Sequence, residues 1–152
     1  MFAIAYVNDP LVINQITLVD DRGRYRTRTT MAISSANDVD RLFEEEVARI
    51  TQPDLLQLIR RLRVPTRCEE RPWDYGKEDE AYPCWIVLDH PESNTCVAYC
   101  EQGFGPHYPW GLLWITKHLN IGMDAGWFLT LEDAVRGSMA WDGENPPGYE
   151  VQ

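Results

Sequence analysis

Four cysteines (Cys68, Cys84, Cys96, Cys100) and three histidines (His90, His107, His118) are the side chains that could supply nucleophilic, redox or metal chemistry. Their spacing argues against most of it. Val97, Ala98 and Tyr99 in a turn-bounded apolar run read as strand. That places Cys96 and Cys100 on one face but about 13 Å apart at roughly 3.3 Å per residue, too far for a disulfide or for two ligands on one zinc. Cys84 falls across a predicted hairpin from Cys100, where a bridge is geometrically conceivable, but buried thiols in a reducing compartment are the expectation. The histidines lie on separate turns or loops, and none forms a His-x-x-x-His pair. A nucleophile needs a base beside it and a carboxylate to orient the base. Cys100, His107 and Asp124 can be written down as such a set, yet nothing local positions them. Asp89 and Glu101 could face each other across the hairpin and do acid–base work, though an exposed sheet face accounts for them more simply. Gly103-Phe104-Gly105-Pro106-His107-Tyr108-Pro109-Trp110-Gly111 is glycine-rich, but Pro106 and Pro109 remove donors and a strand follows. Phosphate cradles lead into a helix N-terminus instead. The sequence therefore predicts no catalytic residue, no metal site and no cofactor. A small hydrolase or transferase using Cys100, His107 or paired carboxylates is the alternative reading.

Charge points elsewhere. The 152 residues carry a net charge of -10. Residues 68–152 hold four basic against fifteen acidic side chains, together with all six Trp, five of the seven Tyr and all three His. A pI near 4.6 opposes contact with nucleic acid or an anionic membrane, because phosphate binding needs clustered Lys and Arg. A basic protein is the natural partner. Arg24, Arg26 and Arg28 form the one basic stripe, and pairing with acidic side chains of the same chain accounts for it. The opening residues lack a basic n-region, and no run reaches membrane-spanning length. A cytoplasmic protein without a signal peptide is expected.

Hydrophobic content of 44% with 25% charged residues is globular composition, and the length suits one domain over 1–152. Met1 to Val7 and Leu11 to Val19 read as strands. Asp20-Asp21-Arg22-Gly23 supplies a turn, and Arg24 to Ile33 alternates as a half-exposed strand, completing a hairpin. Ser35 or Asn37 caps a helix carrying Val39, Leu42, Phe43, Val47 and Ile50. Pro53 opens a second helix with Leu55, Leu56, Leu58, Ile59 and Leu62, ending by Pro65. Thr66 to Pro83, with three turn residues and no apolar period, reads as a long loop. Cys84 to Leu88 and Thr95 to Glu101 make a second hairpin about the His90–Asn94 turn, and Leu112 to Ile115 makes a last strand. Thr130 and Asp133 cap a helix through Ala140. Without βαβ alternation, this order predicts an α+β fold: a mostly antiparallel sheet, two adjacent helices after the first hairpin and a short C-terminal helix.

Within the predicted loop, Trp73, Asp74, Tyr75, Glu78, Asp79, Glu80 and Tyr82 combine large aromatics with a ring of carboxylates, the anatomy of a tight protein interface. The competing reading is a solvated loop whose Trp73 and Tyr82 tuck back onto the domain. Small size, acidity and acidic aromatic loops together resemble the immunity proteins that bacteria pair with secreted toxin domains, including those of contact-dependent growth inhibition systems. The segments Tyr99-Cys100-Glu101-Gln102-Gly103-Phe104-Gly105-Pro106, Pro109-Trp110-Gly111-Leu112, Gly122-Met123-Asp124-Ala125-Gly126-Trp127-Phe128 and Ser138-Met139-Ala140-Trp141-Asp142 also look like a stretch found in uncharacterised bacterial proteins. No residue role carries over from either likeness. What the resemblance implies is a non-enzymatic inhibitor that binds one cognate toxin, such as a basic nuclease, and blocks its active site or substrate surface. Asp74, Glu78, Asp79 and Glu80 are then expected to steer and Trp73, Tyr75 and Tyr82 to anchor.

Overall fold

A computed structural model describes residues 14–19, 25–30, 33, 35–102, 107–116, 119–122 and 125–150, the first two stretches as backbone alone. The chain divides into two compact units, one running through residue 34 and the other from Ser35 to Gln152. In the first, β1 (Asn14–Val19) and β2 (Tyr25–Thr30) pair antiparallel, from Asn14 opposite Thr30 to Val19 opposite Tyr25. This is the hairpin that the alternating pattern predicts. The expected strand over 1–7, the turn at 20–23, Arg24 and the side chains of Arg26 and Arg28 lie outside the described residues.

The second unit opens with two helices. Ser35 caps α1 (Ala36–Val47): its hydroxyl accepts from the Asp38 N–H at 3.3 Å and donates to the Asp38 carboxylate at 2.7 Å. That satisfies one of the donors a helix N-terminus leaves open. Val39 and Phe43 are buried, one turn apart on the face the spacing predicts. Pro53 stands in the first turn of α2 (Pro53–Leu62), where its missing N–H costs nothing, and Leu55, Leu58 and Ile59 are buried. None of the described helices is long and apolar enough to cross a membrane.

A five-stranded antiparallel sheet follows in the order β3 (Arg63–Pro72), β4 (Ala81–His90), β5 (Thr95–Tyr99), β6 (Trp110–Trp114) and β7 (Gly126–Phe128). With three helices beside it, this is an α+β fold. Here one expectation is corrected: the stretch after Thr66 is not a long loop. Residues 63–72 are a strand, and only the residues between Pro72 and Ala81 are a connection. The strand has no apolar period because its inward positions are charged. Arg67, Glu69 and Arg71 stand opposite Ile86, Cys84 and Tyr82 of β4 and satisfy one another by ion pairing. Pro65 and Pro72 are tolerated because β3 lies at the sheet's edge.

The sheet curls. Ile121 forms a parallel bridge with Trp73, its N–H donating to the Pro72 carbonyl at 2.8 Å. The Arg71 guanidinium reaches from the first strand to the Trp114 carbonyl of the fourth at 2.7 Å. One face carries a cluster of Cys84, Ile86, Cys96, Ala98, Cys100, Leu113 and Ile121, with Trp73, Tyr82 and Trp127 packed against it. The other meets the helices, where Leu88, Val97 and Leu112 share a shallow cleft with Leu62 and Val135.

Thr130 caps α3 (Leu131–Arg136) through the Asp133 N–H at 3.1 Å and donates to the Asp133 carboxylate at 2.8 Å. The helix stops at Arg136 rather than Ala140. The Ser138 hydroxyl and N–H both bond the Val135 carbonyl, at 2.6 and 3.1 Å, occupying the acceptor that a further α-turn would use. Strand β7 was not anticipated by periodicity, since three residues are too few to show one.

Candidate functional site

The residues singled out for interaction sit on the β3–β4 connection and its roots. The turn is held by its own backbone: Trp73 N–H donates to the Glu80 carbonyl at 3.0 Å, Gly76 to Trp73 at 3.0 Å and Glu80 to Lys77 at 2.9 Å. A remote segment holds it from the side, the Asp74 N–H donating to the Ile121 carbonyl at 2.9 Å. Gly122 allows that contact, because a Cβ there would stand 2.4 Å from an Asp74 carboxylate oxygen.

Within this frame the three aromatics form one stack. Trp73 meets Tyr82 edge-on at 6.3 Å and Tyr75 edge-on at 6.2 Å, both favoured geometries for ring quadrupoles. Trp73 and Tyr82 are half-buried against the inner cluster, whereas Tyr75 is 70% exposed. The structure thus combines the two sequence readings: Trp73 and Tyr82 tuck back, and Tyr75 stands out.

The carboxylates also divide. Asp74, Glu78 and Asp79 are exposed. Glu80 is half-buried and turned inward, accepting from the Tyr82 hydroxyl with one oxygen and from the Lys77 N–H, at 3.0 Å, with the other. The Tyr82 hydroxyl, followed by the Lys77 N–H, holds the Glu80 carboxyl below its ordinary pKa. The reciprocal bond raises that of Tyr82. Glu80 therefore braces the turn. In the sequence Glu80 reads as a steering charge, with no pairing to Lys77 or Tyr82 expected, and the support from Ile121 and Gly122, some forty residues away, left no local signal.

The alternative chemistry fares differently. Asp89 does not face Glu101: it stands opposite Cys96 in the β4–β5 register and is held bidentately by Arg67 at 3.0 Å on both oxygens. That bond raises the Arg67 pKa. Arg67 also meets Glu69 at 3.1 Å, and Glu69 meets the buried Arg71 at 2.8 Å, so these charges form a paired file. The fully buried Arg71 Nε has no protein partner. Glu101 lies beyond β5 and accepts from the Tyr99 hydroxyl at 3.2 Å.

Cys100 and Cys84 are wholly buried thiols, and the contact with Cys100, followed by burial, raises the Cys84 pKa. Cys96 is buried as well, and desolvation pushes it up to about 12, far from a reactive thiolate. Cys68 is exposed. His107 is exposed, and Asp124 lies outside the described residues. His90, in the β4–β5 turn, contacts the Ser93 hydroxyl at 2.5 Å through Nδ1, a grouping the sequence reading did not single out. Among the described residues, no three His, Cys, Asp or Glu side chains converge as metal ligands.

Comparison with known proteins adds no relative: no family model, no curated protein and no solved structure matches this chain.

Proposed function

We propose that this chain is a non-enzymatic immunity or inhibitor protein, acting in the cytoplasm, that binds and neutralises a basic toxin domain such as a nuclease through its 73–82 loop. The observation that carries the reading is Tyr75. A large aromatic that is 70% exposed, rooted edge-on in Trp73 and flanked by the exposed Asp74, Glu78 and Asp79, is a pre-ordered anchor. Rigid aromatic anchors lose little entropy on binding, and hot spots favour them. The roles divide accordingly. Tyr75 anchors, Trp73 and Tyr82 hold it, Asp74, Glu78 and Asp79 steer a basic surface inward, and Glu80 keeps the turn closed.

The test is to co-express the neighbouring open reading frame and measure complex formation at low and high salt. The reading expects a complex whose association rate falls as salt rises, and falls further when Glu78 and Asp79 are reversed to Lys. If no neighbour binds, or if affinity is indifferent to charge reversal at Glu78 and Asp79, the proposal is wrong.

A further inference from the structure

The inner face of the sheet holds a second feature, directly beneath the aromatic stack. Trp85 stands opposite Tyr99 in the antiparallel β4–β5 register, and one step along the ladder faces Cys84 with Cys100. On its other side Cys100 extends the β5–β6 pairing, its N–H donating to the Pro109 carbonyl at 2.8 Å next to the Tyr99–Trp110 pair, so the extended backbone of β5 runs on through Cys100. Both side chains are 0% exposed and belong to one cluster, and the two thiols are in contact. Directly opposed residues of an antiparallel pair have Cβ atoms about 4.5–5.5 Å apart. A disulfide needs about 3.5–4.5 Å, so a small approach of the strands suffices. Cys96, opposite Asp89, is too far along the ladder to compete.

We propose that Cys84 and Cys100 form a dithiol–disulfide couple, oxidised by a small-molecule disulfide, that regulates the 73–82 loop. The chemistry balances by two exchanges. One cysteine thiolate attacks the small disulfide, forming a mixed disulfide and expelling one small thiolate. The second cysteine sulfur attacks the protein-side sulfur, closing the Cys84–Cys100 bond and expelling the other. The two protons lost by the cysteines end on the two small thiols. Because both sulfurs are buried, reaction waits on local opening of the sheet. Contact with Cys100 and then burial hold the Cys84 proton tightly, which slows the reaction further.

The coupling to the loop is direct. The Cys84 thiol donates to the Tyr82 carbonyl at 3.7 Å, and oxidation removes that donor. Trp73 and Tyr82 rest on the cluster that holds both sulfurs, so drawing the sulfurs together moves the floor of the stack. The regulatory consequence rests on the interface reading above, whereas the couple itself does not.

The experiment uses the full chain with Cys68→Ser, which removes the exposed thiol. It is incubated with oxidised glutathione in sub-denaturing urea and read by intact mass, non-reducing peptide mapping and hydrogen exchange. The expected product has lost two hydrogens and carries a Cys84–Cys100 crosslink. That product persists with Cys96→Ala and disappears with Cys100→Ala. Amide exchange across residues 73–82 is expected to differ several-fold between the reduced and oxidised forms. Absence of the crosslink, or a crosslink to Cys96, overturns the couple. Identical exchange in both forms overturns its hold on the loop. Failure of both the reduced and the oxidised form to bind a toxin would remove the interface reading and leave the couple standing.

Discussion

Trp73 and Tyr75 are neighbours in the same stack with opposite expected phenotypes. Trp73 packs on the inner cluster, so Trp73→Ala is expected to cost about 2–3 kcal/mol, the lower range for a large aromatic that is only partly buried. Tyr75 stands mostly in water, and Tyr75→Ala should change stability by less than about 0.5 kcal/mol while weakening toxin binding about thirtyfold, or about 2 kcal/mol. Denaturant unfolding and titration of the complex separate the two effects. Equal stability loss in both variants would mean that Tyr75 is a packing residue. Glu80 gives a second prediction at this scale. Its folded-state pKa is lowered by the Tyr82 hydroxyl and the Lys77 N–H. Its bracing is thus complete above the ordinary carboxylate pKa and is lost as pH falls through the lowered value. Amide exchange at Lys77, taken relative to its intrinsic rate at each pH, should quicken on that acid limb. Glu80→Gln should quicken it at neutral pH and remove the limb, and exchange that ignores both changes would show that the turn stands without the brace.

Elements with their own local grammar were legible. Ser35, Pro53 and Thr130 marked three helix starts, and the run from Cys84 marked a strand, because caps and short apolar runs are written in adjacent residues. Strand β3 was not, since its inward positions are the charged Arg67, Glu69 and Arg71, which pair with one another, with Asp89 of β4 and with the Trp114 carbonyl of β6 instead of showing an apolar period. The candidate site was half legible: the aromatic and acidic residues were visible, but which face outward depends on Ile121, Gly122 and the inner cluster. The last segment shows the same dependence. Arg136, 6% exposed, bonds Gln52 at 2.8 Å and Asn145 at 2.9 Å and lies 4.6 Å from the Tyr149 ring. The Tyr149 hydroxyl donates to Asp133 at 2.5 Å. Burial, then that bond, raises the Tyr149 pKa. A raised folded-state value means that the contribution to stability is whole below the ordinary tyrosine pKa of about 10 and is lost as pH rises beyond it. Residues 141–150 should therefore loosen in alkali, seen as faster proteolysis of the tail. Tyr149→Phe should cost about 1–2 kcal/mol through the lost bond to Asp133 and abolish that alkaline step. A tail equally resistant in both proteins would mean that Arg136 and Gln52, through Asn145 and the Glu144 carbonyl, hold it without Tyr149.

At the scale of the molecule, charge and architecture divide at the same place. The unit from Ser35 to Gln152 contains ten basic and twenty-one acidic residues, whereas residues 1–34 contain four and three. The larger unit thus carries the whole acidic excess, together with the five-stranded sheet, all three described helices and the 73–82 loop. Its inner cluster draws on β4, β5, β6 and Ile121, and its helices cover the other face with Val39, Leu55, Ile59 and Val135, each at most 1% exposed. At 118 residues, counted from Ser35 to Gln152, it is large enough to sustain a core without outside support. The fragment 35–152 is therefore expected to fold alone, unfolding in one cooperative denaturant transition that far-ultraviolet dichroism and tryptophan fluorescence report at the same midpoint. If the proposed toxin binding holds, the fragment should keep its salt dependence, since the acids that would steer it are all retained. Separate midpoints for the two probes, or a fragment without a cooperative transition, would show that the unit from Ser35 to Gln152 does not fold independently.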